Sequence, residues 1–180
     1  RSTIEGDTQT FYGDLCKTQR TPYSAFIDTG EYQILSTSPE LFFSLEKGIL
    51  TARPMKGTGC KGRWEGENGR LVDSLRQSPK DRAENLMIVD LLRNDLGRIS
   101  RTGSVKVKAL WEVEQYQTIN QMTSTISSEI LPNTGLVEMF ASLFPCGSVT
   151  GAPKSRTMEI ISELECSPRE IYTGCIGYVS

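Results

Sequence analysis

The chain predicts an α+β fold with a mainly antiparallel sheet, and three observations carry that expectation. Short apolar, β-branched and aromatic runs crowd residues 21–58 and are separated by Gly and Pro turns. A long helical run follows Ser78-Pro79. More strand-like runs come after it, without the βαβ alternation that a parallel sheet demands.

Taken in order, residues 23–28, 32–36 and 41–45 read as strands divided by turns at Thr29-Gly30 and Ser38-Pro39, and Gly48 leads into a fourth at 49–52. Residues 57–69 are rich in glycine and charge and lack periodicity, which predicts a surface loop. Ser78 is a good N-cap, Pro79 suits the first helical position, and Asp81 suits the first turn, so a helix is expected over 78–94. Its middle, residues 86–92, is apolar nearly all round, which predicts a buried helix whose acids Glu84 and Asp90 need partners. Strands are expected at 104–108, 111–117 and 123–130, a turn at Pro132-Asn133, and a helix over 135–144 stopped by Pro145. Another helix opens at Thr150-Gly151-Ala152-Pro153, with Met158, Ile161 and Leu164 at helical spacing, and residues 171–179 read as a final strand. The chain stops at Ser180 inside that apparent strand, so a fragment of a longer domain is expected.

With 180 residues, 37% hydrophobic and 23% charged, the chain suits one globular domain with a real core. The net charge of −2 is spread without a basic stripe, which disfavours nucleic acid as a partner. There is no histidine, so Ser-His-Asp and Cys-His catalysis and histidine metal ligation are excluded. Five cysteines are widely separated with no CxxC pair, which argues against a disulfide framework or a zinc site and for buried or incidental thiols. No apolar run is long enough to cross a bilayer and no signal pattern opens the chain, so neither membrane nor secretion is indicated and a cytoplasmic protein is expected.

Acid–base and nucleophilic chemistry must then fall to carboxylates, lysine, tyrosine or thiols. Lys56, set between Pro54 and Gly57 and close behind Glu40, pairs a possible amine nucleophile with an acid, although a solvated loop lysine has the same local sequence. The string Gly57-Thr58-Gly59-Cys60-Lys61-Gly62 fits a dinucleotide fingerprint, but no helix is expected to open after it, which disfavours a nucleotide. Asp81 and Glu84 share a helix face and could offer oxygens to one hard cation, or simply complement the dipole as a solvated first turn. The small and hydroxyl residues of 147–154, Ser148 and Thr150 among them, suit either an anion seat before a helix or a plain N-cap by Thr150.

Taken together and in order, Ser38-Pro39-Glu40, the segment 53–58 (RPMKGT), the segment 81–98 (DRAENLMIVDLLRNDLGR) and the segment 144–154 (FPCGSVTGAPK) strongly resemble the chorismate-binding enzymes. That family includes anthranilate, isochorismate and salicylate synthases and aminodeoxychorismate synthase component I. A lysine at the Lys56 position is the mark of the last branch, so the resemblance implies formation of 4-amino-4-deoxychorismate from chorismate and ammonia, on the way to para-aminobenzoate and folate. It implies Lys56 as nucleophile, Glu40 as acid and base, and magnesium held partly by Glu84, with Asp81 a weaker ligand on the strength of the shared helix face. Gly57, Thr58 and Tyr172 match the family's substrate contacts, Gln121, Ser148 and Thr150 are expected to join them, and a glutamine amidotransferase subunit is the implied ammonia source.

Two departures accompany the resemblance. Gln121 stands where many members have a histidine, and glutamine can orient a substrate but cannot exchange a proton. Residues 1–180 match part of the family's catalytic domain, without its N-terminal region or its C-terminal strands and helix, so this stretch alone is expected to be inactive. Another chorismate enzyme such as anthranilate synthase is one alternative, and a non-catalytic subunit that binds the amidotransferase is another.

Overall fold

The computed structural model describes residues 5–180 and bears out the mixed architecture. Helix α1 (Thr8–Gln19) leads into strands β1 (Tyr23–Asp28), β2 (Gln33–Ser38), β3 (Leu41–Glu46), β4 (Ile49–Arg53) and β5 (Met55–Cys60). Helices α2 (Glu65–Gln77) and α3 (Pro79–Gly97), strands β6 (Lys106–Gln115) and β7 (Ile119–Glu129), and helices α4 (Leu136–Leu143), α5 (Gly147–Thr150) and α6 (Lys154–Leu164) follow. The pairings β1–β2, β3–β4, β4–β7, β5–β7 and β6–β7 are all antiparallel.

β7 organises the five-stranded sheet. Strand β6 lies along one edge, and β4 and β5 lie in succession along the other, β4 against residues 126–129 and β5 against 119–123. Pro54 separates those two strands because it has no N–H to give the ladder, and its carbonyl accepts from Ser124 N at 3.2 Å. Helix α3 packs on the sheet through Ile88, Val89, Leu92 and Leu96, which meet Leu50, Ala52 and Ile126 of the strands and Met139 and Leu143 of α4 in one buried cluster.

Several expectations are corrected. Residues 57–69 are not a loop: β5 runs through Cys60 and α2 opens at Glu65, burying Asn68, Val72 and Leu75. That helical spacing is thinned by Gly66 and Gly69, which weaken any propensity signal. The fingerprint-like string therefore is followed by a helix after all, but its residues 57–60 belong to a strand paired antiparallel, so the parallel βαβ setting is missing. Helix α1 has little apolar periodicity and is held at its start by Asp7, whose carboxylate accepts from Thr10 N at 2.8 Å.

Helix α3 is buried on one side only. Glu84 faces Lys80 at 4.0 Å and Asp90 faces Arg93 at 2.8 Å, both in solvent, while Leu86 and Met87 are 39% and 46% exposed. The acids thus need no buried partner. The two runs expected at 104–108 and 111–117 merge into β6, whose register shifts between Val107 and Ala109 and between Ala109 and Glu112. Residues 171–179 form no strand, since no sheet edge among the described residues pairs with them, and Tyr178 is 93% exposed. None of the five thiols is buried: Cys60, Cys166 and Cys175 are exposed and Cys16 and Cys146 partly so.

A polar joint ties α2 to the sheet. Asn68 Oδ1 accepts from Gly62 N at 2.9 Å and Asn120 Nδ2 at 2.9 Å, and Asn68 Nδ2 donates to Gln115 Oε1 at 2.7 Å. Gly62 has to be glycine, because a Cβ there would lie 2.3 Å from Asn68 N. Asn68→Ala leaves the Gly62 N–H without its acceptor and takes one of two partners from Asn120 Nδ2 and Gln115 Oε1, and is expected to lower stability by about 1–3 kcal/mol. A urea midpoint equal to that of the parent protein would contradict the joint.

Candidate active site

Glu40 lies in the turn between β2 and β3, and its backbone N–H donates to Ser38 Oγ at 3.2 Å. Its carboxylate turns inward, where Oε1 accepts from Met55 N at 3.3 Å and from Ser148 Oγ at 3.5 Å. Burial pushes the Glu40 acid above the usual glutamate range; the Met55 N–H, the Ser148 hydroxyl and the Lys56 charge pull in the opposite sense without cancelling it. The structure therefore brings together an acid biased toward its protonated form, an amine and a hydroxyl from a distant part of the chain.

Lys56 is half-buried on β5, not in a loop. The ladder from β5 to β7 passes from Met55↔Thr123 to Thr58↔Gln121, so Lys56 and Gly57 together oppose the single residue Met122. This is a β-bulge, a device that re-aims a side chain beside a site. Gly57 takes φ +99°, and a Cβ on it would stand 3.0 Å from Asp81 Cβ. The first turn of α3 is thereby held against the bulge. Next along the strand, the Thr58 hydroxyl donates to Gln121 Oε1 at 2.8 Å, so the two expected substrate contacts touch each other.

Ser148 reaches Glu40 because the segment 144–154 is pinned to α3. Lys154 Nζ lies 2.6 Å from Asp95 Oδ2, outside hydrogen-bond alignment, and donates to Leu143 O at 2.9 Å; Ser142 Oγ donates to Asp95 O at 2.6 Å. Gly147 packs so tightly on α3 that a Cβ would meet Leu91 Cδ2 at 2.4 Å. Thr150 is not the expected N-cap. It sits in the one-turn α5 with its hydroxyl on Cys146 O at 3.1 Å, and Pro153 caps α6. Thr150 and Tyr172 line a separate cavity of about 610 Å³ with Phe144, Val149, Met158 and Ile161, and Tyr172 is 73% exposed. Thr150 shares the short helix α5 with Ser148, so that cavity adjoins the segment that reaches Glu40.

Among the described residues no three His, Cys, Asp or Glu side chains form a group that could hold a metal. Glu84 is 45% exposed at its side chain and lies 4.0 Å from the Lys80 ammonium, whereas Asp81 Oδ1 is turned toward Gly57. Magnesium is commonly held by one or two protein carboxylates, with water and substrate oxygens completing its shell.

Sequence reasoning missed the polar groups behind the site. Asn85 is fully buried in α3 between the core residues and the Lys56 carbonyl, and the visible signal is an amide at a core-facing helix position. Arg53 Nη2 reaches Glu114 Oε1 at 2.5 Å across β7, and Tyr116 donates to Glu114 Oε2 at 2.8 Å. Burial, and then that acid, push the Tyr116 phenol up to about 12.

The profile of the chorismate binding enzymes matches residues 1–180 in full. The chain belongs to that family. It is 42% identical over 179 residues to aminodeoxychorismate synthase component 1 of Klebsiella aerogenes, covering 99% of this chain and 40% of that protein. It is 38% identical over 180 residues to anthranilate synthase component 1 of Aquifex aeolicus, covering 100% of this chain and 36% of the relative. The crystal structure of anthranilate synthase component I from Streptococcus pneumoniae superimposes with a TM-score of 0.89 at 38% identity, over 98% of this chain and 39% of that one. The chain thus spans well under half the length of these relatives.

Two outcomes are expected. Lys154→Met leaves Asp95 as an uncompensated buried charge and should cost about 3–5 kcal/mol in chemical unfolding; a loss near zero would show that the pair does not pin the segment. Since the folded Glu40 acid lies above its unfolded value, its contribution to stability is full below the unfolded range and is lost as pH rises through the folded value. Unfolding followed from about pH 4 to about pH 7 should therefore show a falling component in the parent protein that Glu40→Gln lacks. Parallel curves would contradict the inward-facing acid.

Proposed function

We propose that the protein carrying this chain is an aminodeoxychorismate synthase component 1, which converts chorismate and ammonia to 4-amino-4-deoxychorismate. The observation that carries the reading is Lys56 in the β5 bulge next to a Glu40 biased toward its protonated form. The Klebsiella relative's name supports it.

In this reading the Lys56 amine, once neutral, adds at C2 of chorismate, the ring double bond shifts, and the C4 hydroxyl leaves as water with the proton that Glu40 donates. Ammonia then adds at C4, the double bond shifts back, and the Lys56 nitrogen leaves C2. The net change replaces the hydroxyl by an amine with loss of water, and Glu40 regains its proton from the ammonia nitrogen. Thr58 and Gln121 would orient the substrate, and Ser148 would steady the Glu40 carboxylate between proton transfers. Thr150 and Tyr172 would contact substrate from the neighbouring cavity. Magnesium, on Glu84 with Asp81 as the weaker candidate, would supply positive charge for a substrate carboxylate. A glutamine amidotransferase subunit would supply the ammonia, and a cytoplasmic setting suits the exposed free thiols. No helix among the described residues is long and apolar enough to cross a membrane.

Anthranilate synthase is the second reading, favoured by the Aquifex and Streptococcus matches. Intact-mass measurement on the whole protein with chorismate and magnesium but no ammonia separates the two. A chorismate-derived adduct that maps to Lys56 and is absent from Lys56→Ala is the expected result. Retention of aminodeoxychorismate formation by Lys56→Ala with added ammonia would make the lysine a bystander and overturn the nucleophile.

A further inference from the structure

β7 is flanked by two bulges at nearly the same level. On the β5 edge Lys56 and Gly57 oppose Met122; on the β6 edge the ladder steps from Ala109↔Thr125 to Glu112↔Thr123, so Leu110 and Trp111 together oppose Ser124. Trp111 takes φ +58°, a left-handed conformation that is a genuine outlier for a bulky aromatic residue. Its guanidinium neighbour Arg82, on the first turns of α3, stacks 3.7 Å from the ring and helps hold it there.

The two irregular stretches are joined by side chains. Trp111 N–H donates to Ser124 Oγ at 3.1 Å, the Ser124 hydroxyl donates to Asn85 Oδ1 at 2.5 Å, and Asn85 Nδ2 donates to the Lys56 carbonyl at 3.4 Å. Ser124 and Asn85 are fully buried, so these bonds are shielded from bulk solvent and run in one direction from Trp111 and Ser124 into Asn85 and on to Lys56. The last link is long and weak by itself. It falls where the β5 ladder is interrupted, and so it supplies an anchor to the backbone of the one residue whose side-chain aim matters most.

We infer that Asn85, oriented by Ser124 and the strained Trp111 amide, is a positioning residue that holds the Lys56 backbone so that its amine meets the substrate ring. The inference rests on the reading of Lys56 as nucleophile and adds to it a device on α3 and β6 that does not touch substrate. Asn85 is a good agent for the purpose because its amide is acceptor at one end and donor at the other. An aspartate there would set a carboxylate oxygen against the Lys56 carbonyl and lose the anchor.

The test compares the whole protein with its Asn85→Ala and Ser124→Ala variants, measuring the rate of adduct formation at Lys56 by intact mass and the affinity for chorismate by calorimetry. Positioning predicts an adduct rate lower by about ten- to a hundredfold with affinity within about twofold, because a small misplacement of a reacting group costs rate and not ground-state binding. Ser124→Ala should show the same split more weakly, since it disorients Asn85 but leaves its amide in place. If rate and affinity fall together with the unfolding midpoint, the residues are merely structural and the inference is overturned. If an adduct forms at the parent rate in both variants, the relay is overturned while Lys56 stands. If the parent protein itself forms no adduct, the nucleophile reading fails, and the catalytic purpose of the relay fails with it.

Discussion

The antiparallel pairing of β7 on both edges is the constraint from which the rest follows. One edge carries β6 without interruption of the strand; the other carries two strands in series, broken at Pro54. That break puts Arg53, Met55, Lys56 and Gly57 at a place where the ladder is already irregular, and irregular backbone can turn a side chain in a direction that a regular pleat forbids. Glu40 then completes the arrangement by accepting from Met55 N, one residue before Lys56. Acid and amine are therefore held through the same short piece of backbone.

The core behind this edge is more polar than an ordinary sheet–helix interface. Asn85, Asn120, Thr123, Ser124 and Ser128 are fully or almost fully buried beside Ile88, Leu96, Met122 and Ile126. Several of them bond one another or the backbone of β5, as in Asn120 Nδ2 to Cys60 O at 2.9 Å and Ser100 Oγ to Ser128 Oγ at 2.8 Å. An apolar interior would give more burial per residue, but it would leave the two bulges with backbone groups unsatisfied. The polar groups are what a bent, bulged sheet needs in order to close against a helix.

Much of this was legible in the sequence and some was not, for physical reasons. Ser78 and Pro79 announced the start of α3, and Ser78 Oγ indeed accepts from Asp81 N at 3.3 Å, because a cap is a local arrangement of neighbouring atoms. The proximity of Glu40 and Lys56 could be anticipated for a related reason: a strand pair separates them. Helix α2 stayed hidden because its stability comes from Asn68, Val72 and Leu75 docking on the sheet, which glycine-rich local sequence does not betray. Residues 171–179 misled in the other direction, since strand composition is only half of a strand and the other half is a partner. The aim of Lys56 was out of reach altogether, because register shifts are set by the strand opposite.

The span of the Glu40 contacts sets an order in which the site can come into being. The carboxylate's bond to Met55 N closes a separation of 15 residues, whereas its bond to Ser148 closes one of 108. Short closures are entropically cheap and rapid, and long ones wait for the intervening chain to be made and folded. During synthesis from the N-terminus, acid and strand can meet while the hydroxyl-bearing segment is still inside the ribosome. Glu40 is thus open to water early in synthesis, and its surroundings are complete only when the segment that bears Ser148 arrives.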